Sequence, residues 1–371
     1  MTEELSRTSA LASRHRELGS GLEDWNGMGT AWSYDSDPND EHDAIREAAG
    51  LIDMSPLKKV FVRGPDAARV VDHVITRDMT SIAEGKSAYG AILTEGGTVC
   101  DDAIIANNGN GEWMHCHGSG DSMERLLESA EGLDVDIELD DDLHNISLQG
   151  PKALGLLDAH TPIDLAAMPY FHHQATELFG HPCRLSRTGY SGERGYEIFA
   201  SAAVVGDIWD QVLGHGVDLG VMPCSFTSLD KVRIEAALLF FGYDMTDEHT
   251  PWEVGLGFTV NMGAGNFRGR NAVIASRGSE RFVAAGIAVD HDDALAGGET
   301  LQLDGSEVGV INSPCWSHRL GKSLALVHLR PQVATPGTRL QVLSDDFNGS
   351  ATVESIPFFD PQKTRTHASG A

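Results

Sequence analysis

The chain has 371 residues, with 27 Lys plus Arg against 55 Asp plus Glu and a formal net charge of -28 at pH 7. That length suits two or three packed units rather than one minimal core, and the negative field argues against nucleic acid and anionic membranes as partners. No run of eighteen apolar residues occurs, and Met1-Thr2-Glu3-Glu4-Leu5 has neither the basic start nor the apolar stretch of a secretory signal, so a cytoplasmic protein is expected.

The first forty residues are polar with scattered aromatics, Trp25, Trp32 and Tyr34, and read as an irregular arm. A short helix is expected over 41–49, ended by Gly50. Val60-Phe61-Val62 reads as a strand, Asp66 as the cap of an apolar-periodic helix through Ile75, and 89–93 as a second strand. Gly96-Gly97 turns the chain. Two strands, 103–106 and 112–116, flank the hairpin Asn107-Asn108-Gly109-Asn110-Gly111, and Asp121 caps a helix through 126–130.

A further unit begins near Asp142, with a strand at 145–148, a short helix opened by Gly150-Pro151, a strand at 196–199 and helices at 204–213 and 227–241. The lengths do not give a regular βαβ repeat, which points to an α+β fold. After Phe282 the pattern is strand-like, at 282–289, 301–310, 325–329, 339–342 and 351–356, with Gly, Pro and Asp turns that suggest a small β-barrel. A boundary near residue 275 follows, and the tail from Thr364 is expected to fray.

Chemistry-bearing residues concentrate in three segments. In Gly96-Gly97-Thr98-Val99-Cys100-Asp101-Asp102, two carboxylates open a strand and project to opposite faces, one toward a cleft and one to cap or pair. In Arg187-Thr188-Gly189-Tyr190-Ser191-Gly192-Glu193-Arg194-Gly195-Tyr196-Glu197, glycines permit curvature and Glu193 offers two acceptors to a guanidine-like ring edge; a structural bend has the same composition. In Asp230-Lys231-Val232-Arg233-Ile234-Glu235, the Arg233 fork suits a carboxylate ligand or an internal acid. His115 and His117 share one face of a strand, but Cys116 points away and no third ligand is evident, so no metal is expected there and a substrate pocket is the functional reading. The five cysteines are widely spaced and odd in number, without a CxxC pair, and read as buried thiols.

In this order, and together with Arg46-Glu47-Ala48-Ala49-Gly50-Leu51-Ile52-Asp53-Met54-Ser55, Ser147-Leu148-Gln149-Gly150-Pro151-Lys152-Ala153 and the looser Pro314-Cys315-Trp316-Ser317-His318-Arg319-Leu320-Gly321-Lys322, the segments resemble the folate-dependent aminomethyltransferase family, which comprises the glycine-cleavage T-protein and its demethylase relatives. The resemblance spans nearly the entire chain. It implies a ring of three domains around a folate channel, two interleaved over 1–275 and a terminal barrel over 276–371. It also implies tetrahydrofolate as the one-carbon acceptor, with no protein nucleophile and no metal. By motif position Asp101 is the catalytic aspartate, with Asp102 its structural partner. The resemblance likewise implies Glu193 as the pterin-binding carboxylate, Arg233 as the functional arginine, Phe258 as the replacement for a usual tryptophan, and Tyr89 and Tyr190 as channel-lining residues.

The segment Glu112-Trp113-Met114-His115-Cys116-His117-Gly118-Ser119-Gly120-Asp121 departs from the glycine-cleavage pattern and is similar to the dimethylsulfoniopropionate demethylase, although Asp101 stands where that relative has asparagine. The expectation is therefore a demethylase that moves a one-carbon group from a small methylated amine, sulfonium or methoxy donor to tetrahydrofolate. The alternatives are the glycine-cleavage T-protein, with a lipoyl carrier protein as partner, and a non-catalytic folate-binding protein, whose lysine-glycine-cysteine segment is missing from 227–245. Seven lysines against twenty arginines, with Asp-rich stretches such as Asp140-Asp141-Asp142, suggest a halophilic setting in which salt screens self-repulsion.

Overall fold

A computed structural model describes residues 5–263 and 265–367. Two antiparallel-rich sheets and a closed barrel organise it. The first sheet has the order Ser87–Leu93, Val99–Gly109, Glu112–His117, Lys58–Arg63, Asp136–Leu139, all antiparallel. Helices Ala67–Val74 and Ser122–Ser129 cover one of its faces, where Val70, Val71, Val74 and Leu126 pack on Val60, Val62, Ala103, Ile105 and Trp113. The period-2 alternation of those strand residues is what a sheet buried under helices requires.

The second sheet runs His173–Leu178, His181–Ser186, Gly195–Ser201, Leu143–Gln149, Gly50–Asp53, Met222–Pro223, with the last pair parallel. Helix Ala202–Gly216 lays Val205, Ile208, Trp209 and Val212 against it, the i, i+3, i+4, i+7 stripe of an amphipathic helix. Gly50–Asp53 precedes the first sheet in the chain yet pairs within the second, so the two units interleave. Their uncovered faces meet through Phe61, Met114, Cys116 and Phe199.

The α+β class and the terminal barrel are borne out. Six strands close it in the order Val283–Val289, Lys322–Leu329, Ser306–Ser317, Thr300–Leu303, Arg339–Leu343, Asn348–Glu354. The single strand expected at 301–310 is two, because Asp304 and Gly305 take φ of 51° and 77° and turn the chain. The helix expected over 227–241 is Phe226–Glu235; it stops where Ala237 takes φ 54° and the Leu238 carbonyl turns back to accept from Arg233 at 3.2 Å. The N-terminal arm is more ordered than expected. It holds helix Ala12–Glu17 and a hairpin of Glu23–Trp25 and Met28–Thr30 turned by Asn26-Gly27 at positive φ. Buried His15 fastens the arm, with Nε2 2.9 Å from Asp53 and Nδ1 2.9 Å from the Tyr34 hydroxyl. Nor does the tail fray at Thr364: Arg365 pairs with Glu193 at 2.7 Å and Thr366 donates to the Gly192 carbonyl at 2.7 Å. Residues 1–4 and 368–371 of the expected arm and tail lie outside the described residues.

The units are joined at Arg46, on helix Pro38–Glu47, which Asp37 caps through the Asn39 amide. Its buried guanidinium donates to Glu235 at 2.7 and 3.2 Å, Glu193 at 2.9 Å, and the Ser191 and Val232 carbonyls at 2.8 and 3.1 Å. Glu235 also accepts from His42 at 3.0 Å and from the barrel's Ser317 at 2.6 Å. Arg46→Leu would strand two buried carboxylates and is expected to cost about 3–5 kcal/mol, read from urea unfolding. Burial alone would raise the Glu235 carboxyl, but the donors from His42, Arg46 and Ser317 pull it from the usual 4.5 to about 2. Its stabilisation is therefore present above pH 4.5 and lost as pH falls toward 2, and Glu235→Gln should flatten stability against pH across that window.

Candidate functional site

A bulge decides which carboxylate faces where. Leu93 pairs with Val99 but Ile92 with Asp101, so Cys100 is the extra residue in the longer strand. Cys100, Ala103 and Ile105 all lie in the helix-covered core, and Asp101 falls on that same face. It is wholly enclosed: Oδ2 accepts from His117 Nδ1 at 2.8 Å and the Ser122 amide at 3.3 Å, and Oδ1 from the Asp102 amide at 2.9 Å. Burial opposes its charge, but the His117 and Ser122 donors prevail and hold the carboxyl below the ordinary range. Asp101, expected as the catalytic aspartate, is thus a buried, fully partnered group on the helix-covered face.

The two histidines share its fate. His115 and His117 lie on the helix-covered face with Trp113, 0% and 2% exposed, their ring centroids 5.4 Å apart. Burial, and then His117, press the His115 imidazole down to about 3, which keeps it neutral. Strand phase puts both, the expected substrate-pocket pair, on the face turned away from the second sheet.

On the opposite face stand Tyr89 and Asp102. Asp102 is partly reached by solvent yet surrounded by protein, as are Tyr89 beside it and Tyr190 from the loop of the other sheet. The three side chains therefore sit among protein atoms rather than on an outer surface. Burial and the neighbouring Asp101 charge push the Asp102 carboxyl from 3.8 to about 7, with the Tyr89 hydroxyl acting against them. The Tyr190 hydroxyl donates to the Leu239 carbonyl.

The other expected residues divide. Glu193, expected as the pterin-binding carboxylate, is held by Arg46 at 2.9 Å and Arg365 at 2.7 Å and ties the tail to the body. Arg233 spends its fork on Asp244 at 2.5 Å, Asp230 at 2.7 Å and Ser313 at 2.9 Å, the internal-acid reading. Phe258 is 69% exposed on a short turn whose carbonyl accepts from Arg77 at 3.1 Å.

Sequence reasoning passed over Glu197. In the strand Gly195–Ser201, Tyr196 and Ile198 enter the helix-covered core, so Glu197 and Phe199 face the first sheet. Glu197 accepts from Asn145 at 2.8 Å and from Thr188, and burial raises its carboxyl. The Asn145 Oδ1 beside it is buried without a hydrogen-bond partner. Period-2 alternation was the available signal.

Residues 11–264 match the GCVT N-terminal domain and residues 281–360 the glycine cleavage T-protein C-terminal barrel domain. The chain belongs to the glycine-cleavage T-protein, or aminomethyltransferase, family. It is accordingly an enzyme of folate-dependent one-carbon transfer. It is 46% identical to the heme-dependent oxidative N-demethylase gamma subunit of Ectopseudomonas mendocina, over 98% of this chain and 99% of that one. It is 30% identical to an aminomethyltransferase of Streptomyces coelicolor, over 97% and 99% of the two chains. The crystal structure of the glycine cleavage system aminomethyltransferase T from Bartonella henselae superposes with a TM-score of 0.88 at 22% identity, covering 96% of this chain and 98% of that one, and shows the same fold. Aminomethyltransferases predominate among the named relatives, which backs the glycine-cleavage alternative better than the expected demethylase acting on a methylated amine, sulfonium or methoxy donor.

Asp101→Asn would turn its N–H₂ either toward the His117 and Ser122 donors or toward the Asp102 amide. It is expected to cost roughly 1–3 kcal/mol of stability, measured by urea unfolding.

Proposed function

We propose that the protein transfers a one-carbon unit carried on an amine nitrogen to tetrahydrofolate bound between the two sheets, with Asp102 as the acid-base group. The observation that carries this reading is the Asp102 carboxyl, poised at about 7 beside Tyr89 and within electrostatic reach of Tyr190. A group that titrates near neutrality holds and releases protons at the working pH.

The residues also fit the folate. The acceptors of Glu197 and the unpartnered Asn145 Oδ1 suit the donor-rich edge of a pterin, and they lie on the face turned toward the first sheet. Tetrahydrofolate, when bound, supplies the N5 nucleophile that receives the carbon. Glu197 and Asn145 orient the ring edge, Phe258 offers an exposed aromatic face, and Asp102 in its ionised form accepts a proton and offsets positive charge developing on the donor.

A second reading concerns the donor. The 46% identity to a subunit of an N-demethylase favours a chain that works beside an oxidative partner and captures the carbon removed from a methylated amine. An aminomethyl-lipoyl carrier is the donor under the glycine-cleavage reading.

Mass spectrometry of the folate product tests these. Methylene-tetrahydrofolate formed from the aminomethyl carrier supports the glycine-cleavage donor; acceleration of formaldehyde capture above the uncatalysed condensation supports the N-demethylase one. Methyl-tetrahydrofolate from a sulfonium donor would overturn both. Asp102→Asn is expected to lower kcat by about 10²–10⁴-fold with KM little changed. In the parent, kcat/KM should rise as pH increases through about 7, and steady-state kinetics should find that limb missing in Asp102→Asn.

A further inference from the structure

A second cluster of chemistry-bearing side chains lies where helix Pro38–Glu47 meets the turn after the barrel strand Ser306–Ser317. His42, Asp43 and His318 each offer one atom, and the three atoms lie within 4.8 Å of one another. The Asp43 Oδ1 is 3.5 Å from His42 Nδ1 and 3.0 Å from His318 Nε2. These separations bracket the edge of about 3.3 Å expected for a tetrahedron with metal–ligand bonds of roughly 2.0–2.1 Å.

The protonation of His42 sharpens the point. Its Nε2 lies 3.0 Å from both Glu235 oxygens, which accept and therefore fix the proton on that nitrogen. The other nitrogen, Nδ1, is fully buried and has no hydrogen-bond partner. In a neutral imidazole that nitrogen carries a lone pair, which faces the Asp43 carboxylate oxygen at 3.5 Å. An imidazole held by a carboxylate on one nitrogen, with the other turned toward further ligands, is the arrangement that orients metal-binding histidines.

We propose that His42 Nδ1, Asp43 and His318 Nε2 form a site for a divalent metal of zinc-like preference, which clips the helix carrying Arg46 to the barrel. Two imidazoles and one carboxylate suit Zn²⁺ and leave a fourth position for water. Arg319 opposes the ion: its Nη1 is 3.2 Å from Asp43 Oδ1, although it also holds Glu47 at 2.8 Å and is partly exposed, so it can withdraw to that second partner. His318 Nε2, which donates to Asp43 without metal, must turn a lone pair to the ion, so in the loaded site the imidazole carries its N–H on Nδ1.

The test uses the full chain without an affinity tag, stripped by chelator and titrated with Zn²⁺ against a chromophoric chelator, with Co²⁺ absorption as a second reading. One equivalent should bind tightly, with the intense visible bands of tetrahedral nitrogen-ligated Co²⁺. His318→Ala should weaken binding at least ten-fold, and Arg319→Ala should tighten it several-fold by removing the competing cation. Zn²⁺ should raise the Tm of the parent and leave that of Asp43→Asn unchanged, which keeps the test decisive if His318→Ala does not fold. Equal affinity in parent and His318→Ala, or Co²⁺ bound without tetrahedral bands, would overturn the site in favour of a His42 imidazolium shared by Glu235 and Asp43.

Discussion

The guanidinium of Arg46 is the constraint to which the separate units answer. A buried cation is costly unless its donors are matched, and here they meet two carboxylates and two carbonyls drawn from the loop 187–195 and the helix Phe226–Glu235. Glu235 extends the network through Ser317 to the barrel, and Glu193 extends it through Arg365 to the tail. Non-directional apolar packing tolerates small shifts between units, whereas a planar fork with fixed partners does not. The two sheets and the barrel are therefore held in one relative arrangement, on which the alignment of the side chains that face each other from the two sheets depends.

Within that frame the division of labour between adjacent carboxylates follows from environment. Asp101 is held ionised by the hydrogen bonds of His117 and Ser122, and its fixed negative charge is one reason its neighbour is reluctant to ionise. Two identical side chains thus acquire separated proton affinities, as acid-base sites require. The buried histidine is part of this device: it supports the structural carboxylate from the helix-covered side while Asp102 and Tyr89 occupy the other.

The hairpin at Asn107–Gly111, the alternating strands and the ordered polar motifs were all legible in the sequence, because each is written in neighbouring residues, whereas the Asp304-Gly305 turn inside the expected strand 301–310 was passed over. The folate-transfer class was legible too. What was not legible was phase and partnership. One bulged residue, Cys100, moves Asp101 to the helix-covered side, and motif position does not reveal a bulge. Glu193 and Glu197 both sit in one motif and look equally able to bind a ring edge, but Arg46 and Arg365 occupy the first.

The sequence by itself therefore determined the α+β class, the barrel and the kind of chemistry, since local propensity, alternation and motif order are properties of short stretches of chain. Tertiary structure alone decided which carboxylates are free. Arg46 and Glu193 are 147 residues apart, Arg46 and Glu235 are 189, and His42 and His318 meet across the helix–barrel junction. Such charges meet only through folding, and a carboxylate is available for chemistry or consumed in structure according to which distant partner arrives beside it.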